Sequence, residues 1–265
     1  MTALVAVAHG SRDPRSAATV HALLDVVRAM QPSLDVRASF LDLSVPLLGD
    51  VLRSVRADGH RSAVVVPLLL GRAFHARVDV PGAVAEARVP ALDVTISDVL
   101  GPDPRLESAA LRRLASVGVR SGDRSLGVVL AGAGSSHAPA NAAVSSIAAR
   151  WAAGAGWAGV EAAFASSASP DVTTAVARLR ARGARRIAVA SWFLAPGLLP
   201  DRVARLAGDD AVVAPPLGSD PEVAELVLHR YAGAARVKQS NGGARCPGVQ
   251  RPGTSAIVLA PAARR

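Results

Sequence analysis

Apolar residues in this chain come as short unbroken runs, separated by longer stretches in which they recur every three or four positions. Runs such as LVAVA at 4–8 and AVVVPLLL at 63–70 carry no polar alternation, the pattern of strands buried on both faces of a parallel sheet. In the first part of the chain this predicts strands near 3–8, 35–41, 62–69 and 92–98. Helices are predicted near 16–30, 47–57, 77–87 and 104–117. Strands alternating with helices imply an α/β fold whose parallel sheet has right-handed crossovers and helices on both faces. Ligands of such sheets bind beyond the C-terminal ends of the strands.

The pattern occurs twice. With a shift of 124 residues, LVAVAHGSR at 4–12 falls on VVLAGAGSS at 128–136, and VRASFLDLSVP at 36–46 falls on VEAAFASSASP at 160–170. The same shift lays GHRSAVVVPLLL at 59–70 on GARRIAVASWFL at 183–194. Register is then lost by seven residues, and LGPDP at 100–104 matches LGSDP at 217–221. The expected organisation is two tandem four-stranded units, 1–123 and 124–235, packed as a pseudo-dimer within a monomer. Residues 236–265 are crowded with Gly, Pro and Arg and lack periodicity, so a flexible basic tail is expected there.

Charge and composition narrow the functional classes. The formal charge of the 265-residue chain is +9, which by itself suggests a polyanionic partner. Six basic residues and no acid lie from Arg236 onward, so residues 1–235 keep only +3. Aromatic residues make up 3% of the chain, too few for a base-stacking surface, and a nucleic-acid partner is not expected. The one cysteine, Cys246, permits neither an internal disulfide nor a multi-cysteine metal site. No apolar run approaches the roughly 20 residues of a membrane span, and the apolar run at the N-terminus is too short for a signal peptide. A cytoplasmic protein without a membrane partner is expected.

Three polar residues stand where predicted strands end: His9 after the first, Asp42 after the second and His75 after the third. Two imidazoles and a carboxylate are ligand types that suit divalent iron, cobalt, nickel or zinc, and imidazoles accept protons near neutral pH. The second copy is an internal control: His9 becomes Ala133, Asp42 becomes Ser166 and His75 becomes Leu199. The scaffold is kept and the three groups vanish together, which argues for one site, in the first half. Arg12, Arg72 and Arg77 flank the histidines and suit substrate carboxylates. Asp42 also has a reading as a helix cap, and Asp79 as an orienting acid for His75 or a solvated one. His21, His60, His137 and His229 read as surface residues.

AHGSRD at 8–13, FLDLSVP at 40–46 and GRAFHARVDVP at 71–81 resemble the class II chelatases of the CbiX/SirB type, over about residues 3–235. The resemblance implies a lyase that inserts a divalent metal into sirohydrochlorin: Fe2+ for sirohaem biosynthesis, Co2+ for a cobalamin precursor, or Ni2+. It implies no prosthetic group, since the metal is itself a substrate. Residue by residue it makes His9 and His75 the metal-handling, proton-accepting pair, with Asp42 where the family usually has Glu. Ser11, Arg12, Arg72 and Arg77 are then the expected substrate contacts. A carrier of metal or tetrapyrrole without turnover stays open at this level.

Overall fold

The computed structural model describes residues 2–71 and 78–242, with side chains as far as residue 236. His75, Arg72 and Arg77 lie outside the described residues, as does Cys246. The first half runs β1 (Thr2–Ala8), α1 (Pro14–Met30), β2 (Val36–Phe40), α2 (Leu48–Ala57), β3 (Ser62–Pro67), α3 (Val80–Ala87), β4 (Asp93–Ile96) and α4 (Pro104–Ser116). The second repeats it as β5 (Leu126–Gly132), α5 (Ala138–Gly154), β6 (Gly159–Phe164), α6 (Val172–Ala181), β7 (Arg186–Ser191), α7 (Leu198–Ala207), β8 (Ala211–Val213) and α8 (Pro221–Gly242). Helix α8 continues through residues 236–242, where a flexible tail was expected.

Each half is a parallel four-stranded sheet, ordered β2-β1-β3-β4 and β6-β5-β7-β8. After their first residues the central strands are apolar: residues 3–6 of β1 and 63–66 of β3 are completely buried, as strands covered on both faces must be. Helix starts follow local chemistry. Asp13 precedes Pro14 and accepts the Arg15 N–H at 2.9 Å. Asp103 precedes Pro104 and does the same for Arg105 at 3.1 Å. In each case an acid satisfies a donor that the first turn leaves open, and proline occupies the position that needs none.

The halves exchange their last helices. Helix α4 packs on β7 of the second sheet, and α8 packs on β3 and β4 of the first and against α1. One continuous core therefore holds Leu4, Leu23 and Val64 together with Leu130, Ile147 and Leu226. Two smaller clusters lie on the outer faces, one beneath α2 and α3 and one beneath α6 and α7. Polar contacts follow the exchange: Arg112 of α4 pairs with buried Asp220 at 2.6 Å and with Glu222 at 2.8 Å. Arg230 of α8 donates to the carbonyls of Val99 and Leu100 at 2.8 and 2.9 Å.

Tyr231 on α8 donates its hydroxyl to the Thr2 carbonyl at 2.9 Å, and burial pushes its phenol pKa above the ordinary tyrosine value. Removing that hydroxyl deletes one bond between the halves. Tyr231→Phe is expected to lower stability by about 0.5–1.5 kcal/mol. Denaturant unfolding should remain one transition with an unchanged slope, because both halves share one core. Among the described residues, no helix is long and apolar enough to cross a membrane.

Candidate active site

The C-terminal edges of the two sheets face each other across a cleft of about 600 Å³. The first half lines it with His9, Gly10 and Ser11 after β1 and with Leu68 to Gly71 after β3. The second half supplies the equivalent loops, Gly132 to Ser135 after β5 and Trp192 to Leu194 after β7, together with Ser166, Ser167 and residues 197–200. Among the described lining residues there is no Asp, Glu, Lys or Arg, and His9 is the one titratable side chain. The walls are otherwise apolar or uncharged polar, the latter Ser11, Ser135, Asn141, Ser166 and Ser167.

His9 is half-buried, held by backbone bonds that extend the β1–β2 ladder past both strands. Leu41 N–H donates to the Ala8 carbonyl and Asp42 N–H to the His9 carbonyl, each at 3.0 Å. The chain then turns at Gly10, φ +97°, where an added Cβ would sit 1.6 Å from the Asp42 carbonyl oxygen. Only glycine permits so close a crossing. Ser44 locks the turn: its Oγ accepts from Ser11 N–H at 3.0 Å and donates to the Ser11 carbonyl at 2.9 Å. Ser11 Oγ in turn accepts the Asp13 N–H at 3.0 Å.

The second half rebuilds this device with other side chains. Ser166 N–H donates to the Ala133 carbonyl at 2.9 Å, and Gly134, φ +84°, would place a Cβ 1.8 Å from the Ser166 carbonyl oxygen. Asn141 replaces Ser44, bonding both the N–H and the carbonyl of Ser135. Val45–Pro46 and Ser169–Pro170 are both cis, and Leu43 and Ser167 both have positive φ. The two edges are thus one backbone arrangement carrying different chemistry.

The structure brings His9 and Ser11 to the cleft. Asp42 and Arg12 are exposed and outside its lining. The Asp42 carboxylate accepts the Leu43 N–H at 2.7 Å, so it shapes its own loop. It does not cap α2, whose N-cap is Leu47. Asp79 is half-buried at the start of α3. His60, read as a surface residue, is largely covered and pairs with Asp35 at 2.9 Å. Among the described residues no group of three or more His, Cys, Asp or Glu is arranged to hold a metal ion.

Two features are absent from the sequence reading, one linking the halves and one in the cleft itself. Arg15 at the start of α1 pairs with both Asp13 and Asp201 at 2.6 Å, and Asp201 belongs to α7 of the opposite half. Hydrogen bonds donated to Asp13, then to Asp201, hold the Arg15 pKa above its ordinary value, and Arg15 holds the Asp13 carboxyl below its own. The second feature is the share of the cleft built by the second half, including Asn141, Ser166 and Ser167. The repeat alignment places Ser166 on Asp42, so the alignment that shows the lost acid also marks the serine that lines the cleft.

The model of the family CbiX matches residues 3–117 and 127–234. The sirohydrochlorin ferrochelatase of Priestia megaterium is 25% identical over 208 residues, 77% of either chain. A sirohydrochlorin cobaltochelatase of the same organism is 24% identical over 207 residues, 77% of this chain and 67% of that one. Among solved structures, SirB from Bacillus subtilis with Fe3+ superimposes with a TM-score of 0.75 at 23% identity, covering 90% of this chain and 97% of that one. At that identity the superposition speaks for the fold.

Proposed function

The chain belongs to the CbiX family, and from that premise we propose that it is a sirohydrochlorin chelatase, a lyase that inserts a divalent metal ion into sirohydrochlorin. The observation that carries this reading is the cleft between the two sheet edges, with His9 on a wall otherwise free of charge among the described residues. Such a space accepts the apolar face of a macrocycle and leaves its carboxylates toward the rim. The relatives named above support both the substrate and the reaction.

Metal insertion breaks two pyrrolic N–H bonds and forms four metal–nitrogen bonds. The two protons need acceptors, and the ion must shed water. Neutral imidazole meets both needs, since it accepts protons near neutral pH and binds divalent metals through nitrogen. His9 is assigned this role, with His75 as its partner from the segment after β3. A site of two imidazoles leaves coordination positions open, so the ion passes on to the macrocycle instead of being trapped. Asp42 is given a supporting role through its loop, since its backbone N–H holds the His9 carbonyl. Arg12, Arg72 and Arg77 are proposed to meet substrate carboxylates.

Iron is proposed as the physiological metal, with sirohaem as the end product. Cobalt is the second reading, favoured by the near-equal similarity to the cobaltochelatase. Purified protein incubated anaerobically with sirohydrochlorin and Fe2+, Co2+ or Ni2+ is expected to give many turnovers, followed by absorbance, with Fe2+ preferred in kcat/KM. Stoichiometric binding without turnover would make the protein a carrier instead.

A further inference from the structure

Resting on that reading, we propose that the adjacent hydroxyls of Ser166 and Ser167 seat a carboxylate of the macrocycle, so that the second half orients the substrate while the first carries out the chemistry. The two serines occupy the positions of Asp42 and Leu43 in the repeat, on the same backbone. Phe164 N–H donates to the Pro170 carbonyl as Phe40 N–H does to that of Pro46, each at 3.0 Å. The residues after Ser166 and Asp42 share positive φ, 57° at Ser167 and 60° at Leu43. What differs is the side chains, and both serines line the cleft.

The exchange has a definite electrostatic sense. An acid at 166 would face an anionic substrate across a low-dielectric cleft, where like charges repel strongly. Serine removes that charge and supplies a neutral donor. In the first half Asp42 consumes the Leu43 N–H at 2.7 Å. In the second, Ser166 Oγ meets Ser167 Oγ at 3.1 Å, which leaves the Ser167 N–H without an acceptor among the described residues. With one hydroxyl hydrogen used between the two serines, the other hydroxyl and the Ser167 N–H remain as donors at this cleft-lining pair, a set that suits a carboxylate. On the same wall Asn141 bonds the N–H and the carbonyl of Ser135, and Ser135 Oγ accepts the His137 N–H. Those two side chains brace the loop after β5, whereas among the described residues the hydroxyls of the 166–167 pair bond only each other.

The test is steady-state kinetics with sirohydrochlorin and the metal varied separately, on the full chain. Ser166→Ala/Ser167→Ala is expected to raise KM for sirohydrochlorin about 10- to 100-fold, the loss of a hydrogen bond to a charged acceptor. Turnover number and KM for the metal should stay within about twofold of wild type. Ser166→Asp, an exchange the same backbone already tolerates at position 42, should weaken binding more than alanine does. Ser167→Gly, which suits the positive φ, removes the hydroxyl without strain and guards against misfolding of the double variant. An unchanged KM in all three, or a fall in kcat at constant KM, overturns the proposal. If wild type shows no turnover, the chelatase reading fails. Quenching titrations with metal-free sirohydrochlorin still decide the seat, because weaker binding by the three variants supports it and equal binding overturns it.

Discussion

His9→Ala is expected to lower the rate of metal insertion by about 10²–10⁴-fold, the usual contribution of a positioned proton acceptor, while the protein stays folded. The loop that carries His9 is held by main-chain bonds, Asp42 N–H to the His9 carbonyl and Leu41 N–H to the Ala8 carbonyl. Neither depends on the imidazole, so truncation removes the chemistry and leaves the frame. Circular dichroism and the denaturant midpoint should match wild type. His75→Ala is expected to show a comparable loss. A variant chain lacking both imidazoles should be no slower than the worse single one, because groups that act as a unit fail together. Wild-type rates in both single variants would remove the pair from the mechanism.

The second large effect is expected at Gly10. Its φ of +97° is a region in which side chains are strained, and the Cβ of alanine would fall 1.6 Å from the Asp42 carbonyl oxygen and 2.8 Å from its carbon. Strain and collision together should cost about 3 kcal/mol or more, a large part of the roughly 5–15 kcal/mol that holds a typical protein folded. Gly59→Ala supplies the comparison: φ there is +90°, but no heavy atom lies within 4 Å of the added carbon. Gly59→Ala should therefore lose only about 1–2 kcal/mol. If the two variants shift the urea midpoint equally, close approach is not what requires glycine at position 10. Activity should fall with stability in Gly10→Ala, since the loop that moves to relieve the collision carries His9.

Much of this was legible beforehand because burial on both faces leaves an unambiguous mark. β1 and β3 were expected at 3–8 and 62–69 and are found at Thr2–Ala8 and Ser62–Pro67. β4, expected at 92–98, is only Asp93–Ile96, because the apolar residues after it, Val99 and Leu100, serve the core from a loop. The destination of α4 and α8 was not legible. Each shows an apolar face, and a face does not say which of two similar sheets it will cover. The loops after β2 and β6 were legible in identity but not in aim. The Asp42 carboxylate turns to the Leu43 N–H within a loop that carries positive φ at Leu43 and a cis bond before Pro46, a local geometry that no spacing of residues announces. The roles of His75, Arg72 and Arg77 rest on the motif and on the repeat.

The exchange of α4 and α8 bears on how the two edges came to differ. Were the halves separate copies of one polypeptide, every substitution would strike both edges at once. An acid useful on one wall would be imposed on the other, and a histidine gained by one would be gained by both. Joining them in one chain frees each edge to vary alone, while the traded helices make it costly for either partner to leave. Asymmetry of this kind needs two independent reading frames of variation bound to one inseparable body, and the shared core supplies the second condition as the peptide link between α4 and β5 supplies the first.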